Sequence, residues 1–353
     1  MHLADVIALR AMPAAGLIIE CTRRCPLSCA HCATSSTMVV EEHSDEPAIT
    51  LVSSFTAECR PQLVALTGGE PLLRPTMVGE IATKAHEVGA SVHLLSGMYF
   101  AVHGRMSGAV ARALENVDHV SASLDVFHER EVPRRDVFRV IGDLLGRGKD
   151  VSFQIVGANP SDPYIRSVVT EIRREFADRV PMLVSHLRPE GRAKSWLGQA
   201  GISPLRPIDM SPCTMAAWPL VRDTGDVVAC CNQAVANGAA LPHLALGHAS
   251  TDDWSQISQR CLHRPSLKAI RCGGPRLVTD LLGTNAGPDY CGTCHSLSGE
   301  ADLEERLSES LNPSALAFLD NYVARAQGEA GGVAFAQRLA MSDYAALVSL
   351  GHK

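Results

Sequence analysis

The chain has 353 residues, of which 46% are hydrophobic and 20% charged, and its formal net charge is −6. This composition can build a large core. It contains no basic tract that would favour nucleic acid, and no apolar run of the roughly 18 residues needed to span a bilayer. The N-terminal residues lack the basic start and clean apolar stretch of a secretion signal, so we expect a cytoplasmic protein. Twelve cysteines in a reducing compartment favour metal binding or redox chemistry over disulfides.

Six short apolar runs predict buried strands, at residues 16–22, 62–71, 91–97, 119–125, 150–157 and 180–187. The stretches between them have the length of helices, at 44–60, 75–89, 107–116, 134–148 and 162–178. This alternation predicts an α/β fold with a parallel sheet and right-handed crossovers, either open or rolled into a partial barrel. In both arrangements active residues gather at the carboxyl ends of the strands.

The alternation stops near residue 190, which suggests four regions. Residues 1–192 form the α/β domain, and a linker rich in Gly and Pro follows at 193–206. Residues 207–297 read as a small cysteine-rich α+β region with short strands and a hairpin in "PLVRDTGDVVACCN". Residues 298–353 are predicted to pack on the outside as helices, with no detectable site.

The loop after the first strand carries the spacing C-x3-C-x2-C, at Cys25, Cys29 and Cys32. Three thiolates on one short loop can hold three irons of a [4Fe-4S] cluster and leave the fourth iron open to a ligand that is not protein. The alternatives are a zinc site or buried structural thiols. Structural zinc normally takes four protein ligands, and Cys21 as a fourth would lie on the strand rather than in the loop.

The second strand ends in the segment GGEP, residues 68–71. A glycine pair lets the backbone approach a ligand closely, and a carboxylate can accept a hydrogen bond from an ammonium group. A tight turn before a helix is the simpler interpretation. The position at a strand end, about forty residues after the cysteines, favours a binding site.

Together, the two motifs resemble the radical S-adenosylmethionine (SAM) superfamily over residues 16–192. The resemblance implies a partial (β/α)6 TIM-like barrel with a SAM-binding [4Fe-4S] cluster on the three cysteines. Ser96 stands where relatives carry a Thr-Asn-Gly type turn, His31 is expected to place its backbone near adenine, and Arg192 to reach the SAM carboxylate or the substrate. The cofactor-binding residues that the resemblance implies are His31, Gly68, Gly69, Glu70, Pro71, Ser96, Ser123, Asp125 and Arg192.

A second cysteine set resembles the twitch extension, the shortened form of the SPASM extension. It comprises Cys213, Cys230, Cys291 and Cys294. The resemblance implies a second, auxiliary [4Fe-4S] cluster on these four thiolates. Structural zinc is the alternative, and Cys231 could replace its neighbour Cys230 as a ligand.

The resemblance also implies the chemistry. A flavodoxin or ferredoxin would supply one electron, SAM would be cleaved to a 5′-deoxyadenosyl radical, and that radical would remove a hydrogen atom from the substrate. Candidates for a hydrogen donor in epimerisation are Cys231, Cys261 and Cys272, although buried thiols are commonly inert. His128 and Glu129 are candidate bases or substrate contacts, with a solvated helix start as the alternative.

The substrate is the least determined feature. Only about fifteen residues precede the first strand, which leaves no room for the leader-binding domain of many peptide-modifying relatives. We therefore expect dehydrogenation or epimerisation of a small polar natural product, such as a sugar or aminocyclitol. Maturation of a ribosomally made peptide is the alternative within the superfamily. An iron–sulfur or zinc electron carrier or sensor is the alternative outside enzymes.

Overall fold

The structure is a computed structural model that describes residues 1–197, 209–238 and 240–352. Its strands are β1 (Gly16–Glu20), β2 (Leu63–Thr67), β3 (Ser91–Ser96), β4 (His119–Ser123), β5 (Asp150–Gly157), β6 (Met182–His186), β7 (Leu220–Val221), β8 (Asp226–Val228) and β9 (Ala245–His248). Its helices are α1 (Leu3–Ala8), α2 (Glu46–Ser53), α3 (Pro75–Glu87), α4 (Gly108–Ala113), α5 (Val126–Glu129), α6 (Arg134–Gly146), α7 (Pro163–Phe176), α8 (Lys194–Leu197), α9 (Gln233–Asn237), α10 (Trp254–His263), α11 (Pro265–Leu282), α12 (Tyr290–Ser296), α13 (Leu303–Ser310) and α14 (Pro313–Leu339).

The nine strands within the described residues form one sheet in the order β6-β5-β4-β3-β2-β1-β7-β8-β9. The first six strands pair in parallel and alternate with helices, which confirms the predicted α/β fold class. β7 pairs in parallel with β1, and β8 and β9 follow in antiparallel pairing. The predicted hairpin is therefore β7–β8, and the strands of the cysteine-rich region continue the sheet of the first domain.

The sheet has two different faces because side chains alternate along each strand. Leu17 and Ile19 of β1 face the crossover helices and join the main hydrophobic core. Ile18 faces the other way and packs beside α1 and Trp218. We call this second side of the sheet the inner face.

The inner face is polar across β3, β4 and β5. His93 contacts Ser121, His119 contacts Ser152, and the two serine hydroxyls lie 2.6 Å apart. Gln154 reaches Ser121 from β5. The inner face thus carries a network of polar side chains that hydrogen-bond to one another across β3, β4 and β5.

The cysteine-rich region contains more helix than the sequence suggested. α10 begins at a capping box in which Asp253 and Gln256 each accept from the other's backbone amide. α11 is interrupted at Gly274, whose φ of 74° is left-handed, and continues from Pro275. The predicted linker is only partly described: residues 194–197 form α8, and residues 198–206 lie outside the described residues.

The C-terminal segment is helical, as predicted, and it packs against α1, α11 and the edge strand β6. α14 packs against α1 and provides Asp320, which forms a buried ion pair with Arg271 of α11 at 2.7 Å. The backbone amide of Met341 donates to the carbonyl of Val184 on the edge strand β6. Among the helices that are described, none is long and apolar enough to cross a membrane.

Candidate functional site

The loop after β1 places three free thiols at the carboxyl edge of the sheet. Cys29 is buried, and Cys25 and Cys32 are half-buried. The three lie close enough to interact electrostatically, and burial is the main cause that raises the pKa of Cys25 to about 12. A metal would have to displace this proton, as thiolate ligation requires.

The GGEP segment docks on the cysteine loop through its backbone. The amide of Gly69 donates to the Thr22 carbonyl at 2.7 Å, and that of Glu70 donates to the Arg24 carbonyl at 2.9 Å. A Cβ atom on Gly68 or Gly69 would overlap these two carbonyl oxygens. The sequence argument assigned the glycine pair to close approach of a ligand, whereas the structure shows that close approach of the two loops already requires it.

Glu70 is fully buried and is held by the end of β3. Its carboxylate accepts from the Ser96 hydroxyl at 2.9 Å, the Gly97 amide at 2.9 Å and the Leu72 amide at 3.1 Å. Burial outweighs these hydrogen bonds and raises the pKa of Glu70 to about 7. The structure thus brings Ser96 to the GGEP motif, and Pro71 starts the turn beneath them.

The end of β4 contributes a buried carboxylate between two histidines. Asp125 lies 2.9 Å from His128 Nδ1 and 3.3 Å from His31 Nε2, and it also caps the start of α5. Although burial opposes ionisation, these two histidines hold the pKa of Asp125 well below its usual range. Burial likewise opposes the charge on His128, but Asp125 and Cys29 raise the pKa of that imidazole to about 10.

His31 takes part through its side chain as well as its backbone. Its ring stacks on Phe127 with centroids 4.5 Å apart, and its Nδ1 atom is buried without a hydrogen-bond partner. The ligand atoms of His31, Asp125 and His128 lie within 4.8 Å of one another. From the sequence alone the His31 imidazole was assigned no role, because a lone histidine is usually a satisfied polar residue.

Arg192 reaches the cysteine loop. Its Nε atom donates to the Cys29 carbonyl at 2.9 Å, and Nη1 donates to the Ser36 carbonyl at 2.6 Å. A Cβ on the neighbouring Gly191 would overlap the Cys32 carbonyl. Arg192 therefore clamps the loop, and its predicted contact with SAM or the substrate stays a prediction.

The two remaining candidates of this region have different settings. Ser123 ends β4 on the inner face, opposite Gln154 in the strand register. Glu129 accepts from Arg134 at 2.7 Å and from the Tyr164 hydroxyl at 2.6 Å. These partners on α6 and α7 give Glu129 a structural ion pair, so a role as base stays a prediction without geometric support.

The second cysteine set also comes together. Cys230 interacts electrostatically with Cys213 and Cys294, and Cys294 interacts with Cys213 and Cys291. Burial is the main cause that raises the pKa of both Cys230 and Cys294. Four thiols from three segments of the chain thus lie near one another, with Cys230 buried and the other three cysteines half-buried.

Polar neighbours surround this set. His243 Nε2 lies 3.6 Å from Cys294 Sγ, and the Asn232 amide lies 3.4 Å from Cys230 Sγ. The other ring nitrogen of His243 is buried without a hydrogen-bond partner.

The three candidate hydrogen donors lie in separate places. Cys231 Sγ accepts from Arg10 at 2.8 Å, beside the second cysteine set. Cys261 lies 3.6 Å from the Ala217 carbonyl, at the amino ends of β1 and β7 and so opposite the cysteine loop. Cys272 lies on α11 near the Arg271–Asp320 pair, and burial raises its pKa to about 12. The geometry brings neither Cys261 nor Cys272 to the carboxyl edge, which argues against both as donors there.

Sequence reasoning missed three polar residues of these sites. Arg10 contacts Cys231, His243 contacts Cys294, and Glu20 lies buried at the end of β1. Only Glu20 carried a signal, as a carboxylate at the end of the apolar run "GLIIE".

Residues 19–167 match the family model described as the radical SAM superfamily. The chain carries a radical SAM domain. The match runs from the end of β1 to the first turns of α7, and so includes the cysteine loop, the GGEP segment and the end of β4. No curated protein matches the chain in sequence.

Solved structures of radical SAM enzymes share the fold. Streptococcus suis SuiB bound to precursor peptide SuiA matches with a TM-score of 0.53 and 13% identity, over 85% of this chain and 77% of that one. Native anSMEcpe with bound AdoMet and Cp18Cys peptide matches with a TM-score of 0.50 and 14% identity, over 87% of this chain and 99% of that one. BtrN in complex with AdoMet and 2-DOIA matches with a TM-score of 0.42 and 15% identity, over 73% of this chain and 85% of that one. This chain spans only 61% of the length of SuiB in the SuiB structure bound to S-adenosylmethionine.

Proposed function

We propose that this protein is an enzyme that cleaves SAM reductively and removes a hydrogen atom from its substrate. Cys25, Cys29 and Cys32 would hold a [4Fe-4S] cluster, and Glu70 and Asp125 would lie beside the bound SAM. The cluster and SAM together would supply the 5′-deoxyadenosyl radical. A flavodoxin or ferredoxin would deliver the electron.

One observation carries the proposal: the ends of β1, β2, β3 and β4 form a single hydrogen-bonded site. The GGEP loop is bonded to the cysteine loop, Glu70 to the end of β3, and Asp125 to His31 within the cysteine loop. Three free thiols and the unpartnered Nδ1 of His31 fit a cluster with three protein ligands and a polar cofactor next to it. An electron carrier would need the thiols but not the two carboxylates.

We propose a second [4Fe-4S] cluster on Cys213, Cys230, Cys291 and Cys294. Four neighbouring thiols suit it, and the nearby His243 can donate a hydrogen bond to a thiolate. Such a cluster would accept an electron during dehydrogenation, bind the substrate or conduct electrons. Structural zinc on the same four cysteines is the alternative, and iron analysis distinguishes it from a cluster.

For the substrate we propose a small polar molecule of the sugar or aminocyclitol kind. The half-buried polar residues Ser123 and Gln154 on the inner face support such a substrate. Peptide maturation is the second candidate, because two solved structures that match with TM-scores of 0.50 or more were obtained with peptides.

The test begins with protein purified without oxygen and reconstituted. Iron and sulfide are counted for the wild type and for the Cys25→Ala/Cys29→Ala/Cys32→Ala variant, and 5′-deoxyadenosine is measured after addition of SAM and dithionite. We expect about eight irons to fall to about four in the variant, and only the wild type to form 5′-deoxyadenosine. A variant that still forms it would refute the assignment of the first site.

A further inference from the structure

The last residue of β1 has no part in the roles proposed so far. Glu20 shares the inner face with Ile18, because the two residues are two positions apart on one strand. In the strand register it lies opposite Thr67, the residue before Gly68. Glu20 is therefore placed where the inner face meets the cysteine loop and the GGEP loop.

Glu20 is buried, and one of its two carboxylate oxygens is unpaired. Glu20 is only 4% exposed, and its Oε2 atom is buried without a hydrogen-bond partner. Buried polar atoms in folded proteins are almost always paired, because an unpaired one costs free energy. An unpaired carboxylate oxygen on the inner face therefore points to a missing partner that donates.

A second carboxylate lies beside it. Asp223 sits in the turn between β7 and β8, its backbone donates to Glu20, and the two negative charges repel each other. Burial is the main cause that raises the pKa of Glu20 to about 7, and burial also raises the pKa of Asp223. A cation placed between the two would relieve both the repulsion and the burial cost.

Two cationic side chains nearby are partly engaged. Arg222 donates to the Val235 carbonyl and Arg23 donates to Asn237 at 2.9 Å, while the Nε atom of each is buried without a hydrogen-bond partner. Both act on Glu20 electrostatically. His43 Nε2 lies 4.0 Å from a carboxylate oxygen of Asp223.

We propose that Glu20 and Asp223 bind an ammonium group of the substrate. This inference rests on the proposed function and narrows it, because it names the chemistry that the inner face recognises. The ammonium group can come from an amino sugar or aminocyclitol, or from a lysine side chain of a peptide. A neutral sugar or an acidic substrate does not satisfy it.

The test measures the thermal midpoint of reconstituted protein with matched probes. D-glucosamine is compared with D-glucose, and a blocked Gly-Lys-Gly peptide with its norleucine counterpart. We expect at least one ammonium probe at about 10 mM to raise the midpoint by about 2 °C more than its neutral partner. Which pair responds identifies the source of the amine.

Two variants make the result specific. Glu20→Gln should lose the difference between charged and neutral probes, and Glu58→Gln, which removes the same charge from an exposed position, should keep it. Without probe, Glu20→Gln should unfold at or above the wild-type midpoint, because it removes an unpaired buried charge. A markedly lower midpoint would show a structural role instead and overturn the inference.

The same samples separate this inference from the proposed function. 5′-Deoxyadenosine formed from SAM and dithionite without probe reports on the cysteine loop and the proposed SAM site, and not on the proposed ammonium site. If it forms but no ammonium probe exceeds its neutral partner, or if Glu20→Gln keeps the difference, the ammonium site is wrong and the enzyme assignment stands. If it does not form in the loaded wild type, the proposed function itself fails.

Discussion

The two cysteine sets are built in different ways. Cys25, Cys29 and Cys32 lie within eight residues on one loop, which is fixed by backbone contacts with the GGEP segment and by Arg192. The second set gathers Cys213, Cys230 and the Cys291–Cys294 pair from segments up to about eighty residues apart. Its neighbours are side chains of other elements.

The difference shows where each site can tolerate change. The first loop has close backbone packing on two sides, so small additions of volume should disturb it. The second set depends on the pairing of β7 and β8 and on the placement of α12. Loss of a ligand cysteine should therefore disturb it more than substitution of a neighbouring residue. Four predictions test this contrast.

The largest effect is expected for Gly69→Ala. The added Cβ would overlap the Arg24 carbonyl and push the GGEP and cysteine loops apart. Iron should fall from about eight to about four per chain, and formation of 5′-deoxyadenosine should cease. Gly142→Ala is the control, because a Cβ there meets nothing within 4 Å. Full iron loading in Gly69→Ala would show that the loops can separate without loss of the site.

The second prediction concerns ligand loss at the other set. Cys291→Ser/Cys294→Ser should remove about four irons while SAM cleavage without substrate persists, because these residues belong to the second cysteine set and not to the first loop. Iron analysis and 5′-deoxyadenosine assays measure both. Loss of SAM cleavage together with retention of iron at the first site would show that the two sets depend on each other.

The third prediction concerns the clamp on the first loop. Arg192→Lys replaces a planar fork, which donates to the Cys29 and Ser36 carbonyls, by a single ammonium group. We expect about tenfold slower formation of 5′-deoxyadenosine, as one or two hydrogen bonds are lost. Arg188→Lys, at an exposed position four residues earlier, should behave as the wild type. Equal rates in both variants would remove Arg192 from the site.

The smallest effect is a shift in pH dependence. Burial raises the pKa of Glu70 to about 7, so its ionised form is lost, and SAM affinity should weaken, as the pH falls through that value. Ser96→Ala removes a donor to the carboxylate, which should raise this midpoint by up to about one unit. SAM dissociation constants between about pH 6 and pH 9 measure it, with exposed Ser53→Ala as the control. An unchanged midpoint would show that Ser96 does not support the charge of Glu70.

Much of the fold could be predicted because its local signals agree. Each of the strands β1 to β6 is an apolar run that ends at polar residues or glycine, and the helices between them have the expected lengths. The helices α10 and α11 were missed. The capping box at Asp253 was a usable signal for α10, but the Gly-Gly-Pro segment within α11 reads as a loop and instead marks an interruption.

The site was predictable only where a motif is local. The cysteine loop and the GGEP segment have fixed spacing, so they could be found without a structure. Glu20 and His243 are single residues whose surroundings come from strand register and from distant segments. Arg192 illustrates the opposite case, because its position near the loop was expected but its partners, two backbone carbonyls, were not.

The most direct test of the central contrast is electron paramagnetic resonance of the reduced protein with and without SAM. The spectrum of wild type and of Cys291→Ser/Cys294→Ser should change on addition of SAM, because both retain the cysteine loop. The spectrum of Cys25→Ala/Cys29→Ala/Cys32→Ala should not change, although its second cluster is still reduced. A SAM-dependent change in that triple variant, or none in the wild type, would contradict the assignment of SAM to the carboxyl edge of β1 to β4.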